Sequence, residues 1–421
     1  MRSIMHYHAI VIGAGPAGSC AGAGLARAGE KVLVVEKEKF PRFRIGESLL
    51  PAGNQYLQEI GAWEKVCAAG FVEKYGAEFY DGKTGRGIHI IFANGFFGGP
   101  PMTFQVERAI FDQVLLNHAS SCGCEIRMET SVTAARRESN TWHVELTGAS
   151  GGAVTADYIL DASGRDAVMG RILSMPRDEL NYPKRIAIYN HFTGVPRRTD
   201  RRGGNIHIFS LPGGWFWVIP LAGGKTSVGL VMLLDEAGGG QLRNPEEVFW
   251  RRVREMKLLP ELMEKATPLD KYRVTADYCY GHSRFADEGL FMIGDAASFI
   301  DPTFSTGVSL ACASASRAVG TILRLKRTGR PFNRREQARF TRYLKGRIRT
   351  VRQLVESFYD PASFEIFMQP TNRMKVFPAV NAVMAGHHIL PWNARWRFQI
   401  FLTACSINRF MRHRPSRKVA P

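Results

Sequence analysis

Three glycines near the start of the chain have the spacing of a dinucleotide-binding turn. Gly13, Gly15 and Gly18 follow the apolar run 7–12. In a strand–turn–helix unit the first glycine permits the tight turn, the second lets a pyrophosphate approach the backbone, and the third lets the helix pack on the strand. Glu36 ends the next apolar run, where its carboxylate can accept hydrogen bonds from a ribose. The spacing predicts a dinucleotide at the N-terminus of that helix, whose free amides favour phosphate.

Two later apolar runs also end in an aspartate with a glycine nearby in the sequence. Asp295 directly follows Gly294 after the run 290–293, and Asp161 follows the run 158–160. An aspartate at such a strand end can hold the hydroxyl groups of a ribityl chain, or it can cap the helix that follows. Together with the N-terminal segment, these two segments resemble the class A flavoprotein monooxygenases, which bind FAD, and the resemblance covers most of residues 7–325.

This organisation predicts an α/β protein with a discontinuous cofactor domain. We expect a glutathione-reductase-like FAD-binding Rossmann domain, an interposed β-sheet substrate domain and a helical C-terminal region. Prolines in the last quarter of the chain, Pro378 among them, are expected to break its helices. The predicted boundaries are 1–80, 105–180 and 285–325 for the FAD-binding domain, 81–104 and 181–284 for the substrate-side sheet, and 326–421 for the C-terminal region.

A pair of tryptophans and a lysine carry a more specific resemblance. Trp215 and Trp217 lie in the run WFWVIP, which is similar to the WxWxIP motif of the flavin-dependent halogenases. Lys74 lies in FVEKYGAEF, which resembles the segment with that family's essential lysine. By themselves, two aromatic residues with period 2 indicate a buried strand, and a lysine is usually exposed. The resemblance implies instead that the tryptophans separate the organic substrate from the flavin and that Lys74 is catalytic.

A third segment follows Asp295 directly. The run FIDPTFSTG matches the FxxPxxSxG pattern of the same family. The resemblance implies that Ser305 belongs to the catalytic site and that Thr306 and Gly307 bind a halide, chloride or bromide, with Gly307 also at the flavin. Tryptophan halogenases carry a glutamate where this chain has Phe304. The chain is therefore nearer the phenol- and pyrrole-type branch, whose electron-rich rings react without that base.

The resemblance extends to further cofactor contacts. The loop FPRFRIGESLLP and the segment QVERAIFD resemble family segments that approach FAD. No metal site is expected. The predicted cofactor-binding residues are Gly13, Gly15, Ala17, Gly18, Glu36, Arg44, Ser48, Arg108, Asp295 and Gly307.

The reaction that the resemblance implies consumes FADH2, oxygen and a halide. Hypohalous acid would form and be relayed by Lys74 to an electron-rich aromatic ring. No second dinucleotide motif is found, so a separate flavin reductase is expected to supply FADH2. The alternative is a halogenase-like monooxygenase that hydroxylates an aromatic group, including one on a peptide or protein, because fold alone does not fix function. A flavin reductase of prenyl lipids is a further alternative, against which the two-tryptophan motif counts.

The net charge of +18 is concentrated at the C-terminal end of the chain. Residues 317–421 carry 22 basic and 4 acidic side chains, whereas residues 1–316 carry 34 of each. This excess indicates either a solvated helical face or a docking surface for an acidic carrier protein or peptide substrate. The aromatic residues of this region do not alternate with its basic clusters, so no nucleic-acid partner is expected.

Cysteine usage and hydropathy indicate a cytoplasmic protein. Seven cysteines form neither a CxxC pair nor a metal-ligand spacing, which favours reduced thiols. The first apolar run begins at Tyr7 and leaves no room for a signal peptide. No apolar run approaches the roughly 20 residues of a transmembrane helix, so no transmembrane segment is expected.

Overall fold

The chain forms two compact units, each assembled from three separate segments. The computed structural model describes residues 4–98, 101–178, 182–237, 242, 244–276 and 279–413. The first unit comprises Met1–Phe71, Val106–Tyr182 and Tyr278–Gly346. The second comprises Val72–Gln105, Pro183–Asp277 and Arg347–Pro421. The predicted α/β class is confirmed.

The first unit is built around a central group of parallel strands. Met5–Ile12 pairs in parallel with Val32–Val35 on one side and with Gly152–Asp161 on the other. Val32–Val35 is buried along its whole length, as expected of a parallel strand covered on both faces. The strand order is Ala286–Asp287, Leu290–Met292, Gly152–Asp161, Met5–Ile12, Val32–Val35 and Glu125–Arg127, with Thr141–Gly148 also pairing with Gly152–Asp161 and Thr130–Glu138 pairing with Thr141–Gly148.

Small residues allow the two principal helices of this unit to pack closely. The helix Pro16–Ala26 meets the helix Gly307–Thr328, with the Sγ atoms of Cys20 and Cys312 at 3.7 Å. All seven cysteines are free thiols. A small sheet contains Arg177–Asp178, Tyr280–His282 and Ser298–Phe299. The other α-helices are Asn54–Glu59, Trp63–Cys67, Arg108–Ser121, Val168–Ile172 and the first part of Arg334–Tyr359.

The second unit is built around a mainly antiparallel sheet. Gly214–Pro220 and Thr226–Leu233 are adjacent strands at its centre, and their apolar side chains pack with the helix Pro245–Arg254 in one hydrophobic core. The strand order is Thr267–Pro268, Arg185–Thr193, Thr226–Leu233, Gly214–Pro220, Ile206–Leu211, Gly76–Asp81 and Gly87–Ile91, with Arg273–Ala276 also pairing with Arg185–Thr193. A separate two-stranded ribbon pairs Val72–Lys74 with Thr103–Gln105.

The C-terminal part of the second unit is helical. It contains the end of Arg334–Tyr359 and the helices Pro361–Phe367, Val376–Met384 and Trp392–His413. The middle segment of the same unit contributes the helices Pro245–Arg254 and Leu259–Leu262. The prediction that Pro378 breaks a helix is wrong, because Pro378 lies in the first turn of Val376–Met384, where a missing backbone N–H is tolerated. Among the described residues, no helix is both long enough and apolar enough to cross a membrane.

Candidate active site

The glycine turn of the first unit is shaped by close backbone contacts. Gly13 has φ of +99°, and a Cβ there would lie 2.5 Å from the carbonyl oxygen of Ala162. A Cβ on Gly18 would lie 1.8 Å from the carbonyl oxygen of Gly13. Gly15 differs, since a Cβ there would meet only Nη2 of Arg42, at 3.5 Å. The turn is tightly packed at its first and third glycines and open at the second, where a phosphate would need space.

The helix that follows this turn begins without a side-chain cap. Gly15 is its N-cap and Pro16 its first residue, and no side chain of the described chain accepts a hydrogen bond from its first turn. Free amides and the helix dipole favour an anion there. Glu36 is buried at the end of the next strand, where Oε2 accepts from the Ala14 amide at 2.9 Å and Oε1 from the Glu38 amide at 3.0 Å.

An ion-pair network underlies the loop that follows the second strand. Arg108 donates from Nε to Oδ1 of Asp112 at 2.7 Å and from Nη1 to the carbonyl oxygen of Ile45 at 3.0 Å. Arg42 donates to Oδ2 of the same buried Asp112, also at 3.0 Å. Arg44 donates to Glu38 at 2.6 Å. Asp112 therefore fixes Arg108 and also Arg42, which is part of the loop together with the buried Ser48.

Asp295 lies at the end of a buried strand in a partly buried position. Its desolvation raises the pKa of its carboxyl group to about 6, against the opposing effect of Arg108 and Arg165. The preceding Gly294 has φ of +59°, and a Cβ there would lie 3.1 Å from the Cβ of Ala17. Ala17 thus packs against this turn. A carboxyl group with a raised pKa at a strand end is a candidate for holding polar groups of a cofactor.

Asp161 has a structural role at its own strand end. Its Oδ1 accepts from the amide and hydroxyl of Ser163, and its Oδ2 accepts from the amide of Met169 at 2.7 Å. Of the two interpretations open for this aspartate, capping the turn that follows is the one its contacts support.

The segment 301–307 forms a tight turn into a long helix. Asp301 accepts from the amide of Thr303 at 3.0 Å, and Ser305 has φ of +57°. The buried Thr306 is the N-cap of Gly307–Thr328, a helix that has no side-chain cap in the described chain. Gly307 is exposed, and a Cβ there would meet nothing within 4 Å. The backbone beside Gly307 is therefore open to an anion.

Lys74 is buried in the second unit. Its side chain is 1% exposed, and its Nζ lies 5.2 Å from the ring centroid of Phe92. The strand Val72–Lys74 is held by pairing with Thr103–Gln105. Burial lowers the pKa of the Lys74 amine from its ordinary value of about 10.5 to about 7, because the low-dielectric interior disfavours the charged form. Near neutral pH the amine is therefore both a proton donor and a nucleophile.

Trp215 and Trp217 project from the buried strand Gly214–Pro220, and their ring centroids are 5.6 Å apart. Nε1 of Trp215 donates to the hydroxyl of Tyr359 at 2.9 Å, and Nε1 of Trp217 donates to Ser227 at 3.1 Å. Both rings are thus held by packing and by a satisfied N–H group, as expected for buried tryptophans.

Three residues at or beside the candidate site were not predicted from the sequence. A Cβ on Gly229 would lie 2.1 Å from Cζ2 of Trp217, so only glycine accommodates that ring. The ring of Phe92 lies beside the amine of Lys74. Ser309, in the first turn of Gly307–Thr328, is buried, and its hydroxyl has no hydrogen-bond partner in the described chain. The contacts of Gly229 and Phe92 depend on the folded arrangement of the strands, which the sequence does not give. Ser309 could have been predicted, because it lies only two residues beyond Gly307.

The first unit fits the cofactor that the sequence suggests. The open backbone at Gly15, the uncapped helix behind it and the unpartnered hydroxyl of Ser309 each leave polar groups for a bound molecule. Among the described residues, no group of three His, Cys, Asp or Glu side chains is placed to hold a metal ion. These features suit a dinucleotide with phosphate and polyol groups.

Comparisons with known proteins agree with this chemistry. The model of the FAD-binding domain family matches residues 6–357. A chlorinase of 1H-pyrrole-2-carbonyl groups on a peptidyl-carrier protein, from Pseudomonas fluorescens, is 33% identical in an alignment of 341 positions, and the match covers 75% of this chain and 76% of the chlorinase. Seven other halogenases are longer proteins and are matched over 60–66% of their length.

Two solved structures cover almost the whole chain. A flavoprotein/dehydrogenase from Cytophaga hutchinsonii has a TM-score of 0.88 at 28% identity, and the match covers 97% of this chain and all of that one. The flavin-dependent brominase Bmp2 has a TM-score of 0.85 at 27% identity, with the same coverage. Fold and family together define an FAD-dependent oxidoreductase. The chain belongs to the flavin-dependent halogenases, with FAD as cofactor and a halide as co-substrate.

Proposed function

We propose that the protein uses FADH2, oxygen and chloride or bromide to halogenate an electron-rich aromatic ring of the phenol or pyrrole type. The buried amine of Lys74, with its pKa near 7, is the observation that carries this proposal. Its support comes from the relatives, one of which chlorinates a pyrrole group on a carrier protein. The substrate is proposed to be tethered in the same way, and a separate flavin reductase is proposed to supply FADH2.

The residues of the first unit would hold the cofactor and the halide. Gly13, Gly15, Ala17 and Gly18 would bind the pyrophosphate, and Glu36 the ribose. Arg44, Ser48, Arg108, Asp295 and Gly307 would contact the rest of FAD. When bound, reduced FAD with oxygen would supply the oxidising equivalents that turn a halide into hypohalous acid. The amides of Thr306 and Gly307 would hold the halide, with Ser305 setting the turn, because unpaired backbone N–H groups stabilise an anion.

Lys74 would control the oxidant. A protonated amine can donate a hydrogen bond to the oxygen of hypohalous acid, and a neutral amine can accept its halogen. Transfer of the halogen to a ring carbon breaks the oxygen–halogen bond, and the protonated amine would give its proton to the departing hydroxide to form water. The proton lost by the ring would restore the proton on the amine, so the net products are the halogenated ring and water. Trp215 and Trp217 would keep the ring away from the flavin. Phe304 carries no basic group, so the ring must be electron-rich enough to be attacked without a base at that position.

The mass of the product tests the proposal against hydroxylation. FADH2, oxygen and the probe phloroglucinol, an electron-rich phenol, are supplied with chloride in one assay and bromide in another. Halogenation gives products whose isotope pattern follows the halide, and Lys74→Met abolishes them while flavin binding is retained. The exposed Lys271→Met is the matched control and keeps activity. An oxygenated product free of halogen, formed in saturating halide, would contradict the proposal and favour the monooxygenase alternative.

A further inference from the structure

A cavity of about 730 Å³ lies within the second unit, and none of the proposed catalytic or cofactor-binding residues lines it. The end of the edge strand Gly87–Ile91, the turn after it and the start of the helix Val376–Met384 line it. Its volume is within the roughly 300–1,000 Å³ typical of small-molecule sites. Its lining residues include Ile91, Asn94, Phe96, Lys375, Phe377 and Asn381.

Asn381 gives the cavity a buried hydrogen-bond acceptor. Its side chain is 1% exposed, and its Nδ2 donates to the carbonyl oxygen of Ile91 at 2.8 Å. This bond fixes the orientation of the amide, and Oδ1 has no hydrogen-bond partner in the described chain. A buried polar atom without a partner destabilises the protein, so a ligand N–H at this position would be favoured.

Two basic side chains lie beside the same cavity, and neither forms an ion pair with a carboxylate among the residues that the structure describes. Lys375 is exposed on its wall, and no ion pair of Lys375 occurs in the described part of the chain. The guanidinium of Arg397 lies 5.2 Å from the ring centroid of Phe96, and its Nε donates to the carbonyl oxygen of Met374 at 2.8 Å. The lining residues that the structure describes include no carboxylate. This edge of the cavity therefore suits an anionic group.

The cavity adjoins the surroundings of Lys74. Ile91 and Asn94 line it, and Phe92, between them in sequence, has its ring centroid 5.2 Å from Nζ of Lys74. Ile91 and Met374 are large apolar residues, each about half exposed, at the same edge. The site thus combines an apolar and cationic entrance with an interior amide acceptor, and two of its lining residues lie within two positions of Phe92, whose ring is beside the Lys74 amine.

We propose that this cavity binds the arm by which an acidic carrier protein holds the aromatic group. Such an arm has a phosphate at the protein end and amide N–H groups along its length. Lys375 would contact the phosphate, Asn381 Oδ1 would accept from an amide, and the acidic body of the carrier would face the basic C-terminal quarter of the chain. The inference rests on the tethered substrate of the proposed function.

Binding of the arm alone tests the assignment without turnover. Isothermal titration compares phosphopantetheine, pantetheine and inorganic phosphate as probes. We expect phosphopantetheine to bind about tenfold or more tightly than pantetheine, because a charge-assisted hydrogen bond to phosphate is lost with the latter. Lys375→Glu should abolish that difference, and Asn94→Trp, which adds a large ring at the wall, should weaken both probes. Lys271→Glu, an equal charge reversal on an exposed residue outside the lining, should change neither.

Two outcomes overturn the assignment. One is the absence of phosphopantetheine binding, or binding that both cavity variants leave unchanged. The other is phosphate binding as tight as that of phosphopantetheine with no binding of pantetheine, which would identify only an anion site. Bromination of phloroglucinol by the wild-type protein is measured separately. A protein that brominates phloroglucinol but does not bind the arm refutes the cavity assignment alone. One that binds the arm but brominates neither phloroglucinol nor a phenol or pyrrole ring attached to a carrier protein refutes the proposed function.

Discussion

Replacing Lys74 with methionine should stabilise the fold while abolishing halogenation. Methionine is similar in length, unbranched and apolar, so it can fill the space of the buried lysine stem without a charge. Wild-type Lys74 must either be desolvated as an ion or lose its proton on folding, since its pKa falls from about 10.5 to about 7. Either way folding is opposed by a free energy that methionine does not incur.

The size of the effect follows from the change in proton affinity. Each factor of ten corresponds to about 1.4 kcal/mol, so a pKa that falls from about 10.5 to about 7 corresponds to about 5 kcal/mol. Below pH 7 both folded and unfolded chains carry the proton, and the folded wild type bears the full penalty. Between pH 7 and 10.5 only the unfolded chain binds the proton, so wild-type stability rises with pH. The advantage of methionine should therefore shrink by about 2.5 kcal/mol between about pH 6 and about pH 9.

Urea denaturation of the wild type and of Lys74→Met at several pH values measures the difference in their free energies of unfolding. Any change in packing caused by methionine is independent of pH and cancels in the comparison. The exposed Lys271→Met should show no comparable trend. A free-energy difference between Lys74→Met and wild type that does not vary with pH would refute the reasoning, because the lysine would then titrate alike in folded and unfolded chains.

Three further predictions concern the cofactor, the tryptophans and the charge. Gly15→Val should fold normally but lose FAD, measured by flavin absorbance, because only the Arg42 side chain lies near a Cβ at this position; retained FAD would contradict the assigned pyrophosphate site. Gly229→Ala should lower the free energy of unfolding by about 1–3 kcal/mol through overlap with the Trp217 ring, and much less in a Trp217→Leu background; equal losses would exclude the overlap as the cause. Raising ionic strength from about 0.05 to about 0.5 M shortens the Debye length from roughly 14 to 4 Å and should slow turnover of a carrier-bound ring but not of phloroglucinol; equal salt dependence for both would argue against electrostatic docking of the carrier.

The sequence predicted the fold class, the family and the cofactor because these depend on local patterns. The spacing of Gly13, Gly15 and Gly18 reflects backbone contacts within one strand–turn–helix unit, and Gly13 indeed has φ of +99°. The apolar run before Asp295 likewise predicted a buried strand that ends in a polar group. Gly13 and Gly18, whose backbones are in contact, are close along the chain, so their order specifies this part of the geometry, whereas the approach of Gly13 to Ala162 joins distant segments.

Only the tertiary structure decided how the catalytic candidates are supported. The aromatic residues that flank Lys74 in the sequence, Phe71, Tyr75 and Phe79, predict a partly buried strand start with a lowered lysine pKa. The nearly complete burial of Lys74 arises only in a fold that pairs Val72–Lys74 with Thr103–Gln105. The fit of Trp217 against Gly229 likewise depends on the antiparallel pairing of two strands. Such pairings join residues that are distant along the chain, and the local pattern does not encode which strands become neighbours.

The basic C-terminal region also combines a property that the sequence determines with contacts that only the folded structure determines. The sequence established that 22 basic side chains face only 4 acidic ones after residue 316. The structure shows which of those cations are neutralised, as Arg409 by Asp360 at 3.2 Å, and which, like Lys375, have no ion pair in the described chain. It also brings Asn381 against Ile91, 290 residues earlier in the chain, and so forms the cavity. Composition fixes how much charge the chain carries, but the free energy of each ion pair depends on distances of a few ångströms that only the folded chain sets.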